Sequence, residues 1–271
     1  MKLLRISKPN AEYQVISAIK SNRKKRKETG EIFVEGTESI KQLSKSGFPA
    51  TRFICRNYRN LSDWAKGIVA GRPDAAVFEL EESLYLALCD KTDPGELLVT
   101  AEMTVSPCEG LSVPGHPLIL IMDRPGDKGN LGTIIRTANA FRIDAVIIIG
   151  HSVDVLDPKV IRTSLGAVFH TQIVQAESYS RLETLLTELK RETGLRVIGT
   201  DSGGDLRLSE YADHSPAAVI LGNEAKGMSK KLQDLCDVTV SIPISGDVNS
   251  LNVSCAGSVI LWHISGLTGS R

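Results

Sequence analysis

No stretch of this 271-residue chain stays apolar for the ~18 residues a membrane span requires. The N-terminal segment MKLLRISKPNAEYQ has too short an apolar run for a secretory signal. Cysteine is scarce. The five present (Cys55, Cys89, Cys108, Cys236 and Cys255) are scattered, odd in number and without a CxxC pair. That argues against a disulfide framework and a zinc site, and fits a reducing cytosol. The five histidines offer no ligand-spaced pair, so no metal is expected. Neither a GxGxxG dinucleotide fingerprint nor the GK[ST] ending of a phosphate-binding loop occurs. Internal repeats and low-complexity segments are lacking too. The expectation is a soluble cytoplasmic protein.

Hydrophobic content of 42% and charged content of 24% are ordinary for a globular chain. Net charge is zero but unevenly spread. Residues 1–72 hold 16 Lys and Arg against 6 Asp and Glu, and the remainder holds 16 against 26. A basic end on a chain with an acidic remainder points to a polyanionic partner. The densest run is Lys20, Arg23, Lys24, Lys25, Arg26 and Lys27. It reads either as a solvated helix face or as a phosphate-backbone contact, whose affinity would fall steeply with salt.

A Pro-, Gly- and Ser-rich stretch, Thr104 to His116, divides the chain. Residues 1–105 read as a small α/β/α domain preceded by a basic helix near residues 10–27, residues 106–116 as a linker, and residues 117–271 as a second domain. In the first, EIFVEG, TRFICR, AAVFEL and ELLVTAEM predict strands; TESIKQLSKSG, LSDWAKGIVAG and EESLYLALC predict helices. In the second, PLILIMD, AVIIIG, RVIGT, AAVILG and VTVSIPI are near-continuous Ile/Val/Leu runs, as a parallel sheet covered on both faces requires. Helical patterns separate them: NLGTIIRTANAFR, SRLETLLTELKRETG, SKKLQDLCD and the final SLNVSCAGSVILWHISGL. The fold class is therefore α/β with a doubly wound parallel sheet.

Ligands of such sheets sit where strand ends lead into helices. Three loops there are unusual: DRPGDKGNLG (123–132) before a helix bearing Arg136, LGNEAKGM (221–228), and IPISG (242–246) followed by Asn249, Ser250, Leu251 and Asn252. Each has a plain reading. Gly126, Gly129 and Gly132 can be turn and packing residues, and Ser250 or Asn252 can simply cap the last helix. Together, in this order, they match one known pattern.

These motifs resemble those of the SpoU (TrmH-type) branch of the SPOUT methyltransferases, over about residues 117–264. RTSLGAVF (162–169) resembles the same family between its first and second motifs. The GEIFVEGTESI region resembles the L30e-like substrate-binding domain attached to many members. Within the family the chain is most similar to ribosomal RNA methyltransferases, the avilamycin-resistance type among them.

The resemblance implies a deep trefoil knot in the C-terminal domain, which connection rules alone would not suggest. It implies S-adenosylmethionine as cofactor, with Gly222, Ile242 and Leu251 contacting it, joined by Leu221, Asn223 and Thr200. It also implies ribose 2′-hydroxyl methylation, with Arg136, Asn130, Glu224, Ser250 and Asn252 as catalytic residues. Arg136 would hold an RNA phosphate beside the target ribose. RNA would be gripped by Arg23, Lys24, Lys25, Arg26, Arg124 and Lys128. A homodimer is implied through the last helix, along a stripe of Val253, Ala256, Val259, Ile260 and Ile264. Competing readings are a transfer-RNA ribose methyltransferase, a knotted RNA-binding protein without catalysis, and a dehydrogenase, which the missing dinucleotide fingerprint disfavours.

Overall fold

Asparagine, aspartate and serine caps punctuate this chain and set where its helices start. The computed structural model describes residues 3–90, 92–213 and 215–266, which form two compact units. The expected helix over 180–194 and the final helix are present, although Leu267, the last residue of the final pattern, lies outside the described residues.

The first unit opens with β1 (Leu3–Ile6), followed by α1 (Ala11–Ser21), α2 (Arg23–Thr29), β2 (Glu31–Glu35) and α3 (Thr37–Ser46). Then come β3 (Ala50–Cys55), α4 (Asp63–Ala70), β4 (Ala76–Leu80), α5 (Glu82–Leu88) and β5 (Leu97–Glu102). The sheet order is β1-β4-β3-β5-β2, with β5 antiparallel to both neighbours. The sequence predicts one basic helix here, and the structure has two. Asn22 is extended, ends α1, and accepts from the amides of Lys24 at 2.9 Å and Lys25 at 3.4 Å. Its side chain competes with helical hydrogen bonding and restarts the helix as a cap. Strand β1 was not anticipated; it pairs along β4 at the sheet edge.

The second unit contains β6 (Ser106–Pro107), β7 (Leu118–Asp123), α6 (Lys128–Ala140) and β8 (Ala145–Ile149). The chain then contributes Asp154–His170, including α7 (Pro158–Thr163), to the first unit before returning. The N-terminal unit thus takes in chain well beyond residue 105. In the second unit follow β9 (Ile173–Ala176), α8 (Tyr179–Thr193), β10 (Arg196–Thr200), β11 (Leu206–Arg207), β12 (Ala217–Leu221), α9 (Lys230–Gln233), β13 (Val238–Ser241) and α10 (Val253–Ile264).

All eight strands of this sheet run parallel, in the order β11-β13-β10-β12-β7-β8-β9-β6. Every residue of β7, β8 and β12 is buried, as the unbroken apolar runs require. β13 lies on the far side of β10 from β12. The chain then returns from β13 through residues 242–252 to α10, whose Gly257 sits against Ile134 of α6 and Leu221 of β12. A return of this kind is what the expected knot needs.

Candidate functional site

Because the sheet is parallel, β13, β10, β12 and β7 deliver their C-terminal ends to one side, in that order. Thr200, Leu221 with Gly222, Ile242 and Asp123 stand at or just beyond those ends.

Asp123 anchors the first loop. It ends a strand of five apolar residues and is 1% exposed. Its carboxylate accepts two hydrogen bonds from the Arg124 guanidinium, both at 2.9 Å, one from the Tyr179 hydroxyl at 3.0 Å and one from the Ser229 amide at 2.7 Å. Burial pushes this carboxyl upward, but the bonds from Arg124, Ser229 and Tyr179 outweigh it and hold the group below its ordinary range. Sequence reasoning gave Asp123 no role. The available signal was a lone acid closing the run LILIMD.

The same bonds correct the expectation for Arg124. Its guanidinium is spent on Asp123 and on the Gly227 carbonyl at 3.0 Å, tying the first loop to the second instead of reaching for RNA. A residue at φ 50 is uncommon for a side chain of this size, and the fork onto Asp123 holds it there.

The second loop is a tight turn. Asn223 and Gly227 exchange backbone hydrogen bonds at 3.0 and 2.9 Å, and Asn223 Oδ1 accepts from the amides of Ala225 and Lys226. A Cβ on Gly222 would overlap the backbone of Gly227 and Met228, so only glycine permits this closure. Asn223 Nδ2 donates to the Arg124 carbonyl at 2.8 Å, crossing to the first loop.

All three motifs meet in one chain of hydrogen bonds. The Ser254 amide donates to Asn252 Oδ1 at 2.8 Å, Asn252 Nδ2 donates to Asn130 Oδ1 at 2.9 Å, and Asn130 Nδ2 donates to Glu224 Oε1 at 3.3 Å. Glu224 Oε2 accepts from the Gly126 amide at 3.2 Å and from Asn223 Nδ2 at 3.3 Å. Asp127 caps α6 through the Asn130 amide at 2.8 Å. Asn252 is thus both a helix cap and a bridge between motifs.

Two predicted members stand apart. Arg136 is exposed on α6 and has no hydrogen-bond or ion-pair partner among the described residues. Six residues beyond Asn130 it lies about 120° round the helix, away from the face that meets Glu224. Ser250 is exposed and makes no hydrogen bond among the described residues, so it does not cap α10; Asn252 does.

The cofactor candidates line the strand ends. Thr200 Oγ1 donates to the Ile220 carbonyl at 2.8 Å, fixing its methyl. Leu221 is buried, Gly222, Asn223 and Ile242 are half-buried, and Leu251 is exposed, as are Ile244 and Val248 on the same return segment. Exposed apolar side chains beside loops rich in backbone polar groups suit a small ligand with apolar and polar parts.

In the N-terminal unit, Arg26 is the second correction. It is 4% exposed. Its guanidinium donates to Asp154 at 2.9 and 2.7 Å and to the carbonyls of Ile19 and Lys20, and it lies 3.6 Å from Asp157. No face of it is left for RNA. Arg23 and Lys24 are exposed and Lys25 half-buried, with Lys24 also 3.8 Å from Glu28; Lys128 is half-buried at the start of α6. Arg162 likewise serves the fold, pairing with buried Glu35 at 2.6 Å and with Asp90 at 3.2 Å. The stripe expected on α10 splits: Ile260 and Ile264 are buried within the unit, Val253 and Ala256 are half-buried, and Val259 is exposed, as are Cys255 and Trp262 outside the expected stripe.

An all-parallel α/β domain whose strand-end loops converge through Asn130, Glu224 and Asn252 has the layout of a ligand-binding domain. The chain belongs to the SpoU rRNA Methylase family, which matches residues 117–262, and its residues 10–99 match the SpoU L30e-like domain. It is 32% identical over 262 residues to the 23S rRNA (uridine(2479)-2′-O)-methyltransferase of Streptomyces viridochromogenes, covering 96% of this chain and 91% of that protein. It is 28% identical to the 23S rRNA (guanosine(2553)-2′-O)-methyltransferase RlmP of Bacillus subtilis, covering 90% and 92%. The crystal structure of the SpoU methyltransferase AviRb from Streptomyces viridochromogenes, in complex with the cofactor AdoMet, superposes with a TM-score of 0.89. That match has 31% identity and covers 96% of this chain and 98% of that one. The α/β class, the parallel sheet and the L30e-like domain stand as read from the sequence.

Proposed function

We propose that this chain transfers a methyl group from S-adenosylmethionine to a ribose 2′-hydroxyl of 23S ribosomal RNA. The observation that carries the reading is the continuous hydrogen-bonded path Asn252–Asn130–Glu224, which unites three motifs distant in sequence. The nearly full-length similarity to enzymes named for 23S rRNA 2′-O-methylation supports the ribosomal substrate over a transfer-RNA ribose. The complete set Asn130, Arg136, Glu224, Ser250 and Asn252 speaks against a knotted RNA-binding protein that has lost catalysis.

The strand-end residues fit the cofactor: Ile242 and Leu251 offer apolar packing, while Leu221, Gly222 and Asn223 offer backbone groups beside Thr200. When bound, S-adenosylmethionine supplies an electrophilic methyl on a sulfonium. The protein's task is then to align the ribose oxygen and help it lose its proton. Alignment contributes on the order of 7–11 kcal/mol in favourable systems, and assisted proton removal about two to four orders of magnitude in rate.

Arg136 offers an exposed guanidinium with no hydrogen-bond or ion-pair partner among the described residues. A guanidinium is a poor base but a permanent cation, so it binds the phosphate next to the target ribose and lowers the energy of the developing alkoxide. Asn130, Glu224 and Asn252 are positioning residues that hold the loops, and Ser250, on the exposed return segment, lies free to meet substrate. Arg23, Lys24, Lys25 and Lys128 contact RNA phosphates.

The protein acts as a homodimer. Cys255, Val259 and Trp262 repeat at helical spacing on the outer face of α10, with Val259 44% and Trp262 48% exposed, and a second copy would cover them. It works in the cytoplasm, where ribosomal RNA is found. Incubation with methyl-labelled S-adenosylmethionine and ribosomal RNA, followed by nucleoside mass spectrometry, should give one new ribose-methylated nucleoside. A base-methylated product, or label in transfer RNA alone, would refute the reading.

A further inference from the structure

Helices α3 and α4 of the N-terminal unit border an open cleft of about 400 Å³, lined by Ser44, Trp64, Gly67, Ile68, Gly71 and Arg72. That size lies within the range of small-ligand sites. Three features set it apart from an ordinary surface dip. Trp64 carries a cation: Lys41 Nζ lies 5.5 Å from the ring centroid. Arg72 forms part of the rim, where its guanidinium donates to the Ser44 carbonyl at 3.4 Å. No carboxylate lines the cleft, and it lies in the basic first 72 residues.

The floor is the telling part. Gly67 is in the middle of α4, and a Cβ built on it would meet no heavy atom within 4 Å. Nothing in the packing demands glycine there. Glycine within a helix costs about 0.5–1 kcal/mol relative to alanine, so this helix gives up stability and leaves its outer face bare. Next to the cleft, Phe48, Phe53 and Val99 help line a small apolar recess that shares Ser44, Ile68 and Arg72 with it.

An aromatic ring, two cations, no carboxylate and a bare floor together describe a seat for an unpaired nucleotide, since bases stack on aromatic and guanidinium planes while cations hold the phosphate. We infer that the Trp64 cleft binds one unpaired nucleotide of the RNA substrate, with the base against Trp64 and the phosphate held by Lys41 and Arg72. This rests on the ribosomal RNA reading and adds to it a contact far in sequence from the methyl-transfer motifs.

The test uses the full-length protein and fluorescein-labelled single-stranded hexa-adenylate RNA, with affinity read by anisotropy. Stacking contributes ~1 kcal/mol or more per base, so Trp64→Leu should weaken binding at least about fivefold while Trp64→Phe stays within about twofold of wild type. Gly67→Leu starts from a Cβ position with no heavy atom within 4 Å, adds bulk to the cleft and favours the helix; it should weaken binding similarly without lowering the melting temperature. S-adenosylmethionine affinity should be unchanged in all three. The inference falls if wild type does not bind hexa-adenylate, if Gly67→Leu binds as wild type does, or if Trp64→Phe is as weak as Trp64→Leu. Wild-type affinity in Gly67→Leu, with ribosomal RNA still methylated, would leave the proposed function standing and point to a protein side chain as the occupant. Trp64-dependent binding without any RNA methylation would do the reverse.

Discussion

Asn252 and Asn130, separated by 122 residues, are joined by an amide hydrogen bond of 2.9 Å whose polarity is fixed at both ends. Asn252 Oδ1 must accept from the Ser254 amide, which leaves Nδ2 to donate; Asn130 Oδ1 must accept, which turns its own Nδ2 toward Glu224. Asn252→Asp keeps an oxygen for the cap but removes the donor. Its melting temperature should stay close to wild type while methyl transfer falls at least about tenfold, the ~1.4 kcal/mol that one lost hydrogen bond typically represents. Asn252→Ala should in addition lose about 0.5–2 kcal/mol of stability with the cap. Thermal unfolding beside a methylation assay separates the two. Full activity in Asn252→Asp would show that the bridge is dispensable.

Gly222 and Gly227 make a second comparison within one loop. A Cβ at Gly222 collides with backbone, and backbone cannot swing aside as a side chain does. Gly222→Ala should therefore open the turn, abolish S-adenosylmethionine binding by calorimetry and destabilise the domain by about 1–3 kcal/mol or more. Gly227 has open space around its Cβ position and needs only a φ of +63. Gly227→Asn, a residue that tolerates the left-handed region, should cost no more than about 1–2 kcal/mol and retain the cofactor.

Arg26 separates charge in the sequence from charge at the surface. Its side chain is 3% exposed and faces Asp154 and Asp157 at 15% and 13%. Arg26→Met would remove the guanidinium that pairs with Asp154 and lies beside Asp157, and losing one partner of a buried pair costs about 3–5 kcal/mol. The melting temperature should drop sharply, while the folded fraction binds RNA with unaltered affinity and salt dependence. Lys24→Gln with Lys25→Gln should do the opposite, flattening the salt dependence of binding at constant stability. Equal salt slopes for the two variants would overturn this assignment.

The outline of the fold was legible because its physics is local. Unbroken apolar runs such as LILIMD and AVIII marked buried parallel strands, and glycine with paired polar residues marked the strand-end loops. What escaped was non-local. Arg26 reads as one more cation in a basic run until Asp154, 128 residues away, is brought beside it. Arg124 reads as a free loop arginine until the Asp123 carboxylate claims it. The excursion 154–170 follows the buried strand AVIII with nothing in its composition to assign it to the other unit. β1 is four residues long with two exposed, too short for any alternation to register.

Asp123 gives the acid limb of the stability profile. Its folded pKa is depressed, so the stabilisation it confers is fully present above the unfolded value of about 3.9 and is lost as pH falls through the lower folded value. Asp237 shifts in the same direction: burial raises it, but Lys190 and the Val197 amide outweigh that. Stability should therefore hold level through neutral pH and decline only below about pH 4. Asp123→Asn keeps the shape and one acceptor but cannot balance the Arg124 guanidinium, so it should be less stable at pH 7 and should show a shallower decline below pH 4. Denaturant melts of both proteins from pH 3 to pH 7 provide the measurement. Parallel curves for the two would mean that the Asp123 carboxylate titrates alike in the folded and unfolded chain, and the anchoring role assigned to it would be lost.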